Sequence, residues 1–493
     1  MKKLTISLLV LLLLGTGIHF LKKKFFFPRP NIILVVVDTL REDLGGANPD
    51  FFNSLKEKGI YFKNAYTTIP ITLPAHLSMF TGEYPFQVGV INNGQKYRGN
   101  RELLAERLKK KGYGTYAVVS LGTLQGFLGP ARGFDLYLDK FPRSRWYKTA
   151  AEVNQEVEKI LHRIKPPFFL WIHYSDPHEP YAPPWLPPNG EVVVNGEKAG
   201  DVCFYKKEFF FVKGNPGEEV EVEVILTGKP QRGIAYLVEI PTRREKIVLL
   251  NGRGQGRGRA KFKLKIGEKG YVAIRPSVFL STPWARFFYK REVLYWDAKF
   301  KELFQKLSSA GLLKNTYVFV LADHGEGLGE WKDHKGHIHF LNGIYTRIPL
   351  LVIPPRGNKE LRLEYRQIVD IFPTVLRLAG ISVPGDTVGR DLLKGKGHRR
   401  LFLETFAPES FFDRFSLIEG NFQLIHTPAK KKYLFFDLTR DPGSVKPIPF
   451  NSSVPSMMKA LKNFEGEAYS RIKIRPKRER KVLKVLKSLG YVK

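Results

Sequence analysis

The chain has 493 residues, too many for one simple core, so its length predicts two or three domains. A hydrophobic fraction of 43% excludes wholesale disorder, and the single cysteine, Cys203, excludes an intrachain disulfide and a cysteine-based metal site. Lysine and arginine total 80 against 47 acids, a formal net charge of +33 that favours an anionic partner. Because the basic residues are scattered and no nucleic-acid-binding motif accompanies them, we expect an anionic membrane surface or polymer and no nucleic acid.

The N-terminal segment, residues 1–27, has the pattern of a membrane anchor or a signal segment. An apolar run from Leu4 to Leu21 lies between lysines on both sides and is near the lower limit of about 17 residues for spanning a bilayer. The small residues Gly15-Thr16-Gly17 leave a removable signal peptide as the alternative. We expect a membrane-anchored protein with an extracytoplasmic catalytic domain, or a secreted or periplasmic protein after signal cleavage.

Strand and helix patterns alternate after Pro30 and predict an α/β core with a mostly parallel central sheet covered on both faces. The predicted strands are 31–38, 115–120, 168–174, 316–323, 348–353 and 401–405, and the predicted helices are 51–58, 75–80, 102–111, 152–164, 293–307 and 366–380. Short β-rich runs separated by Gly and Pro turns predict a β-sandwich inserted over residues 187–283. The core then comprises residues 28–186 and 284–390, and a C-terminal subdomain with a basic tail comprises residues 391–493.

The stretch from Thr67 to Gly82, TTIPITLPAHLSMFTG, contains a predicted short helix whose start is marked by Thr72. Pro74 is tolerated only in a first turn, and Gly82 supplies a common helix ending. Thr72 is therefore expected at or beside the N-cap, with its hydroxyl among free backbone N–H groups. Such a place stabilises an anionic phosphate or sulfate group, although a threonine there can also be only a cap.

Acids and histidines follow three of the predicted core strands. They are Asp38 after the first, His173, Asp176 and His178 at another, and Asp323 with His324 after a third. Ligands of open α/β sheets bind beyond the carboxyl ends of the strands, so these side chains are expected to converge. Buried carboxylates that converge without a cation would repel one another, and Asp, His and a hydroxyl suit Zn, Mn, Mg or Ca. We therefore expect at least one divalent metal ion there.

A loop rich in glycine and histidine, HGEGLGEWKDHKGHIHF, follows the third of these strands. Its glycines allow close backbone approach. His334, His337 and His339 are candidates for a second metal site or for a general acid, and His337 is favoured. A second ion would be held by Asp176, His178 and His337.

Several segments of the chain occur in the order seen in the sulfatase family, which belongs to the alkaline phosphatase superfamily. They are VVVDTLRED, TLPAHLSMFTGEYP, GFDLYLD, HYSDPHEPYAPP, LADHGEGLGE, RIPLLVIPP, IVDIFPTVLRLAGI and YLFFDLTRDP. The chain thus resembles that family over nearly all of its length outside the β insertion. The resemblance implies an alkaline-phosphatase-like α/β sandwich with a small C-terminal α+β subdomain, and a metal-dependent attack on a phosphate or sulfate ester.

The resemblance also implies roles for particular residues. Asp38, Asp323 and His324 match metal ligands, and Thr72 matches the nucleophile and would contact the same ion. His178 and His337 match substrate-binding or proton-transfer groups. We further expect His76 and His173 to contact the substrate.

The chain departs from the sulfate-ester hydrolases of this family at the site itself. Those enzymes carry Cys or Ser at the position of Thr72, which is oxidised to an aldehyde, Arg at His76, and usually a second Asp at Thr39. Their GKWHLG segment falls where this chain has VVSLGTL, residues 118–124. Because threonine is not known as a source of that aldehyde, Thr72 is expected to attack directly, as in the phosphodiesterases and lipid-phosphate transferases of the superfamily.

The sequence therefore predicts an exported metal-dependent hydrolase or transferase that cleaves a phosphoester or phosphodiester in an anionic envelope lipid or polymer. One alternative is a sulfuric ester hydrolase. The other is a catalytically degenerate binding protein that uses the β insertion.

Overall fold

The computed structural model describes residues 29–406 and 412–472. The predicted anchor in residues 1–27 and the basic tail from Arg475 onward lie outside these residues. Within the two described ranges, no helix has both the length and the apolar character needed to cross a membrane. The predicted membrane-anchored localisation is therefore corrected, since no described helix supports it.

The first part of the chain builds one half of a central sheet from buried, largely β-branched and aromatic strands. The strands are β1 (Asn31–Val37), β2 (Ile60–Tyr66), β3 (Gly114–Val118), β4 (Leu136–Leu138) and β5 (Phe168–Tyr174). The helices are α1 (Asp50–Lys56), α2 (Thr72–Thr81), α3 (Pro85–Val88), α4 (Leu104–Lys110) and α5 (Ala150–Ile160). Every residue of β1 and β5 is buried, as expected for strands covered on both faces.

Residues 190–280 form two four-stranded antiparallel sheets. Their strands are β6 (Gly190–Val194), β7 (Glu197–Val202), β8 (Phe210–Lys213), β9 (Glu219–Leu226), β10 (Ile234–Ile240), β11 (Glu245–Leu250), β12 (Arg259–Lys265) and β13 (Tyr271–Leu280). One sheet has the order β11-β10-β13-β8 and the other β12-β9-β6-β7. Alternate residues of β9 are buried, as in a strand with one covered face. The all-β insertion is as predicted, but β7 was missed because its EKAGDV sequence lacks an alternating apolar pattern.

The chain then returns to the central sheet through a long helix, α6 (Thr282–Ser309). The next strands are β14 (Thr316–Ala322), β15 (Gly327–Leu328), β16 (Lys335–Gly336), β17 (Arg347–Ile348), β18 (Leu350–Ile353) and β19 (Glu360–Gln367), and the helices are α7 (Gly343–Thr346) and α8 (Ile371–Leu378). The central sheet has the order β17-β2-β18-β14-β1-β5-β3-β4, with β19 beside β2. β1 is parallel to both β14 and β5, and Val37 is aligned with Ala322 and Tyr174. This register places the residues that follow these strands side by side.

A separate antiparallel sheet with a covering helix forms the C-terminal part. Its strands are β20 (Arg400–Thr405), β21 (Arg414–Glu419), β22 (Phe422–Thr427) and β23 (Lys432–Asp437), and its helix is α9 (Val454–Arg471). Residues 401–405, predicted as a strand and included in the C-terminal subdomain of residues 391–493, form β20, which pairs with β21. Phe464 of α9 packs edge-on against Tyr84 and Phe86 of the core, so the two parts share an aromatic contact.

Candidate active site

Two aspartates follow the paired ends of β1 and β14. Asp323 Oδ1 accepts hydrogen bonds from the backbone N–H groups of Thr39 (3.2 Å) and His324 (2.8 Å), which leaves Oδ2 to face the site. Asp323 Oδ2 and Asp38 Oδ1 are both buried and have no hydrogen-bond partner. Buried carboxylate oxygens without partners are costly, so these atoms indicate a missing positively charged group.

The residue that follows Asp38 has an unusual backbone conformation. Thr39 has φ 59°, a left-handed value that is rare for a β-branched residue. Its carbonyl oxygen accepts a hydrogen bond from the Tyr289 hydroxyl at 2.8 Å, and its N–H points at Asp323. The strained residue therefore ties the turn after β1 to the turn after β14.

Thr72 is the first residue of α2, with Ile71 as the N-cap and Gly82 ending the helix at φ 70°. Its hydroxyl donates to Asp38 Oδ2 at 3.3 Å and lies 3.4 Å from His324 Nε2. The side chain is 1% exposed. Thr72 thus stands beside the N-cap, where the sequence pattern placed it, and in contact with two of the predicted metal ligands.

The backbone donors expected around Thr72 are fewer than predicted. The Leu73 N–H donates to Asn93 Oδ1 at 2.9 Å, and Pro74 has no N–H to offer. Asn93 Nδ2, however, is buried and has no hydrogen-bond partner. Asn93 therefore brings an unused amide donor to the start of α2. No sequence pattern predicts this role for Asn93, because Asn92-Asn93-Gly94 has the composition of an ordinary turn.

Two histidines direct an unprotonated nitrogen into the cluster. His324 Nδ1 donates to the Gly325 carbonyl (3.1 Å) and His76 Nδ1 donates to the Thr72 carbonyl (2.8 Å), so Nε2 of each neutral ring carries a lone pair. His324 Nε2 lies 3.5 and 3.8 Å from oxygen atoms of the two aspartates. His76 Nε2 is buried without a partner. Lone pairs that face carboxylate oxygens favour a cation between them.

The pKa values of these groups agree with that interpretation. Burial raises the pKa of Asp323 to about 6, and burial together with the charges of Asp323 and Glu326 raises the pKa of Asp38 well above its usual range. Burial lowers the pKa of His324 to about 4 and also lowers that of His76. The carboxylates therefore lack a compensating positive charge, and the imidazoles remain neutral and able to bind a metal.

The described residues contain two overlapping groups with the spacing of metal ligands. One group is Asp38, Asp323 and His324, and the other is His76, His173 and Asp323, each with its ligand atoms within 4.8 Å of one another. Their carboxylate oxygens and imidazole nitrogens fit a divalent cation. His76 and His173, which the sequence analysis assigned to the substrate, thus lie among the candidate ligands. His173 Nε2 is 3.7 Å from Asp38 Oδ2.

The structure does not group Asp176 with His178 and His337. Asp176 Oδ1 accepts a hydrogen bond from the N–H of Ala150, the first residue of α5, at 2.8 Å. Asp176 belongs to neither ligand group found among the described residues. The two histidine rings do lie together, with centroids 5.1 Å apart, and the ring of His337 is 4.5 Å from that of His324.

Glu326 is the acidic neighbour of these histidines, and the sequence analysis missed it. Its Oε1 lies 3.4 Å from His337 Nδ1, its Oε2 is buried without a partner, and burial raises its pKa to about 8. The sequence signal that could have identified Glu326 is the pair of glycines on either side of it, Gly325 and Gly327, which allow a tightly packed loop. A Cβ at Gly325 would lie 2.3 Å from the Ile344 carbonyl oxygen, so this loop is packed inside the protein.

Comparison with known proteins identifies the family. The family model described as Sulfatase matches residues 30–381. The choline-sulfatase of Rhizobium meliloti (strain 1021) is 24% identical over 485 residues, which cover 87% of this chain and 84% of that protein.

Solved structures share the fold. The phosphonate monoester hydrolase of Agrobacterium radiobacter aligns with a TM-score of 0.60 at 14% identity, covering 90% of this chain and 96% of that one. A protein solved with its substrate D-glucosamine-2-N,6-O-disulfate aligns with a TM-score of 0.61 at 16% identity, covering 92% and 100%. Because the Sulfatase family model matches more than half of the residues of this chain, the chain belongs to the sulfatase family.

Proposed function

We propose that this sulfatase-family enzyme is a phosphoester or phosphodiester hydrolase or transferase whose nucleophile is Thr72. The observation that carries the proposal is the position of the Thr72 hydroxyl, 3.3 Å from Asp38 Oδ2 and 3.4 Å from His324 Nε2. A threonine at this position can attack without prior modification. The sulfate-ester hydrolases that the chain resembles instead carry Cys or Ser there, which is converted to an aldehyde.

Enzymes of the sulfatase family depend on metal ions, and Asp38, Asp323 and His324 would hold one here beside the Thr72 hydroxyl. When bound, the cation would supply positive charge that favours ionisation of that hydroxyl and neutralises the ester oxygens. Because the two ligand groups share Asp323, together they would hold either one ion or two. Their oxygen and imidazole donors suit Zn, Mn, Mg or Ca.

The side chains around Thr72 supply the remaining roles. Thr72 Oγ attacks phosphorus, and the positive end of α2 and the unused amide of Asn93 stabilise the negative oxygens of the transition state. As the new P–O bond forms and the bond to the leaving oxygen breaks, the Thr72 hydroxyl proton passes to Asp38 Oδ2, the acceptor of its hydrogen bond. His337 donates a proton from its unpartnered Nε2 to the leaving oxygen and regains one at Nδ1 from Glu326, 3.4 Å away, whose raised pKa of about 8 keeps it protonated near neutral pH; His178 is the neighbouring candidate. The resulting phosphothreonine passes to water or to an acceptor hydroxyl.

A sulfuric ester hydrolase is the second candidate, and the relationship to a choline-sulfatase favours it. The fold is shared with phosphonate monoester hydrolases, which agrees with the phosphoester proposal. The chemistry at residue 72 distinguishes the two candidates, because direct attack by threonine needs no aldehyde. A non-catalytic binding protein that uses the β insertion is the third candidate, and it would lack turnover of any ester.

The test compares the turnover of three substrates: a bis-aryl phosphate, an aryl phosphate and an aryl sulfate. The protein is first stripped of metal and is then reloaded in turn with Zn, Mn, Mg or Ca. We expect the phosphate esters, and the diester above all, to be turned over with the larger kcat/KM. Faster turnover of the aryl sulfate would overturn the proposal in favour of a sulfatase. Absence of turnover with every metal would overturn it in favour of a binding protein.

A further inference from the structure

Four cationic side chains, here called the cation patch, lie together at one edge of the histidine-rich loop of residues 324–340. They are Lys332 of that loop, Arg414 at the start of β21, Lys430 in the turn between β22 and β23, and Lys432 at the start of β23. The three lysines are exposed and Arg414 is half-buried. The rings that carry Lys332 and Arg414, those of Trp331 and Phe340, have centres 6.5 Å apart, and Arg414 donates to the carbonyl oxygen of Phe412, whose ring lies under Lys430, at 3.0 Å. In agreement with this proximity, burial, followed by the charges of Lys432, Arg414 and Lys430, lowers the pKa of Lys332.

Three of the four cations are held by aromatic rings. Lys332 Nζ lies 5.3 Å from the ring centre of Trp331, and Lys430 Nζ lies 4.3 Å from that of Phe412. The Arg414 guanidinium is 4.6 Å from the ring centre of Phe340. A cation–π contact fixes the position of a charged group without neutralising it, so these cations remain available to an anion.

Within residues 29–406 and 412–472, none of the four forms an ion pair with a carboxylate, although the charge of Asp413 does reach Arg414. The contrast with β12 is clear, because Lys261 pairs with Glu221 at 2.6 Å and Lys263 with Glu219 at 3.1 Å. These two lysines of β12 are thus compensated by acids of the neighbouring strand β9. Among the described residues, the cation patch therefore concentrates positive charge that no carboxylate neutralises by an ion pair.

The cation patch adjoins the candidate active site. Arg414 donates to the carbonyl oxygen of His339 at 2.5 Å, two residues from His337. Its charge also contributes, after burial, to lowering the pKa of His334 to about 4 and that of His339 to about 3. The loop that carries His337 therefore also carries one edge of the cation patch. An anionic group beyond the reacting ester would meet it.

We propose that the cation patch binds further anionic groups of the substrate, so that the natural substrate is a polyanionic chain with phosphate or sulfate groups beyond the one that reacts. This inference rests on the proposed function for the reacting ester. Electrostatic complementarity of this kind raises the local substrate concentration and falls with ionic strength.

The test compares two triple variants of equal charge. In Lys332→Gln/Lys430→Gln/Lys432→Gln the change lies in the cation patch, and in Lys58→Gln/Arg356→Gln/Lys359→Gln it lies on exposed residues elsewhere. Each removes three positive charges from a formal net charge of +33, so bulk electrostatics are matched. All substituted positions are exposed, and unchanged thermal melting verifies that both variants fold.

The probe is fluorescein-labelled dextran sulfate, and its binding is measured by fluorescence anisotropy. The parent protein and both triple variants also carry Thr72→Ala in this assay, so that the result does not depend on turnover. We expect the patch variant to bind about tenfold more weakly, as three exposed ion pairs of modest strength would give, and the control variant to bind within about twofold of the parent. Equal weakening in both variants, or in neither, would overturn the inference. Failure of the phosphoester proposal would appear separately, as missing turnover of the aryl esters by the unsubstituted protein.

The dextran sulfate should also inhibit turnover of the small diester by the active enzyme. We expect the patch variant to be about tenfold less sensitive to this inhibitor. Its KM for the bis-aryl phosphate should be unchanged, because the aryl groups of that diester carry no charge. Inhibition of the two triple variants to the same extent would show that the polyanion acts elsewhere on the surface and would contradict the inference.

Discussion

Aspartates follow three strands at the same edge of the central sheet, but only those after β1 and β14 belong to a ligand group of the described residues. After β1 and β14, Asp38 and Asp323 each direct an unpartnered oxygen into one cluster, and His324 Nε2 lies 3.8 and 3.5 Å from these two oxygens. After β5, Asp176 accepts a hydrogen bond from the N–H of Ala150 and keeps one unpartnered oxygen, near the buried acid Glu292 and outside any ligand group of the described residues.

The difference shows what makes a carboxylate at a strand end a candidate metal ligand. Asp323 also accepts backbone hydrogen bonds, but the lone pair of His324 Nε2 lies 3.5 Å from its remaining oxygen. The Thr72 hydroxyl of α2 in turn contacts Asp38 and His324. For Asp176, no histidine falls within the same ligand spacing. Position at a strand end is therefore necessary for the site but does not suffice, because the surrounding helix and loop must bring the complementary donors.

The largest effect expected from this comparison is that of Asp323→Asn. The amide keeps the shape of the side chain but loses the charge that the metal requires, so we expect bound metal to fall to background. Loss of the cation should reduce kcat/KM on the order of 10³-fold, since metal stabilisation of a transition state is worth several kcal/mol. Metal analysis and diester turnover on the same sample check this. A variant that keeps its metal would contradict the ligand assignment.

A smaller loss is expected for Asn93→Ala, which removes the unused amide donor at the start of α2. Loss of one preorganised donor to a developing negative charge reduces kcat about 10²-fold, and the bound metal should be unaffected. Because Asn93 also accepts the Leu73 N–H, thermal melting is measured alongside and should show a modest loss of stability. Unchanged kcat would rule out a role for Asn93 in stabilising the transition state.

The pH dependence of metal binding follows from the raised pKa values of Asp323 and Asp38. Between its ordinary pKa of 3.8 and the raised pKa of about 6, Asp323 holds a proton in the metal-free fold that the unfolded chain has released, so the stability from this group is present below that window and is lost as the pH rises through it. A metal must displace that proton. We expect affinity, measured by titration calorimetry, to rise about tenfold per pH unit below pH 6 for each proton displaced and to level off above it. Constant affinity from pH 5 to pH 8 would be the contrary result.

The smallest effect is expected for Asp176→Asn, the matched control for Asp323→Asn. The amide oxygen can still accept the hydrogen bond from Ala150, so the start of α5 keeps its partner. Metal content should be unchanged, and kcat/KM should stay within about twofold of the parent. If instead one ion per chain disappeared, Asp176 would be a ligand of a second metal and the contrast between the two groups would fail.

Much of the core was predictable from the sequence because its strands are short, fully buried runs. The 168–174 strand has the predicted bounds, and β1 and β14 each end one residue before the predicted aspartate. The parallel alignment of these strands then brings Asp38 and Asp323 together, as the rule for open α/β sheets requires. The strand at residues 401–405 was also predicted, but its buried pattern alone does not reveal which sheet the strand joins.

The rest of the site depended on contacts that no local pattern contains. Asn93 has a turn-like sequence, and only its bond to Leu73 reveals that it stands at the start of α2. Glu326 has the sequence of an exposed loop acid, but His337 and the packing against Ile344 bury it. Long-range packing therefore decided which of the polar residues became part of the cluster.

The claim on which the rest depends is that Thr72 itself attacks the ester. The direct measurement is mass spectrometry of peptides from metal-loaded enzyme that has been quenched in acid during turnover of a slowly cleaved aryl phosphodiester, with Thr72→Ala carried through the same procedure. We predict that the peptide containing Thr72 gains the mass of the transferred phosphoryl group, and that the metal-loaded variant shows neither the adduct nor turnover. A phosphoryl adduct on another residue, or turnover by metal-loaded Thr72→Ala, would contradict the account.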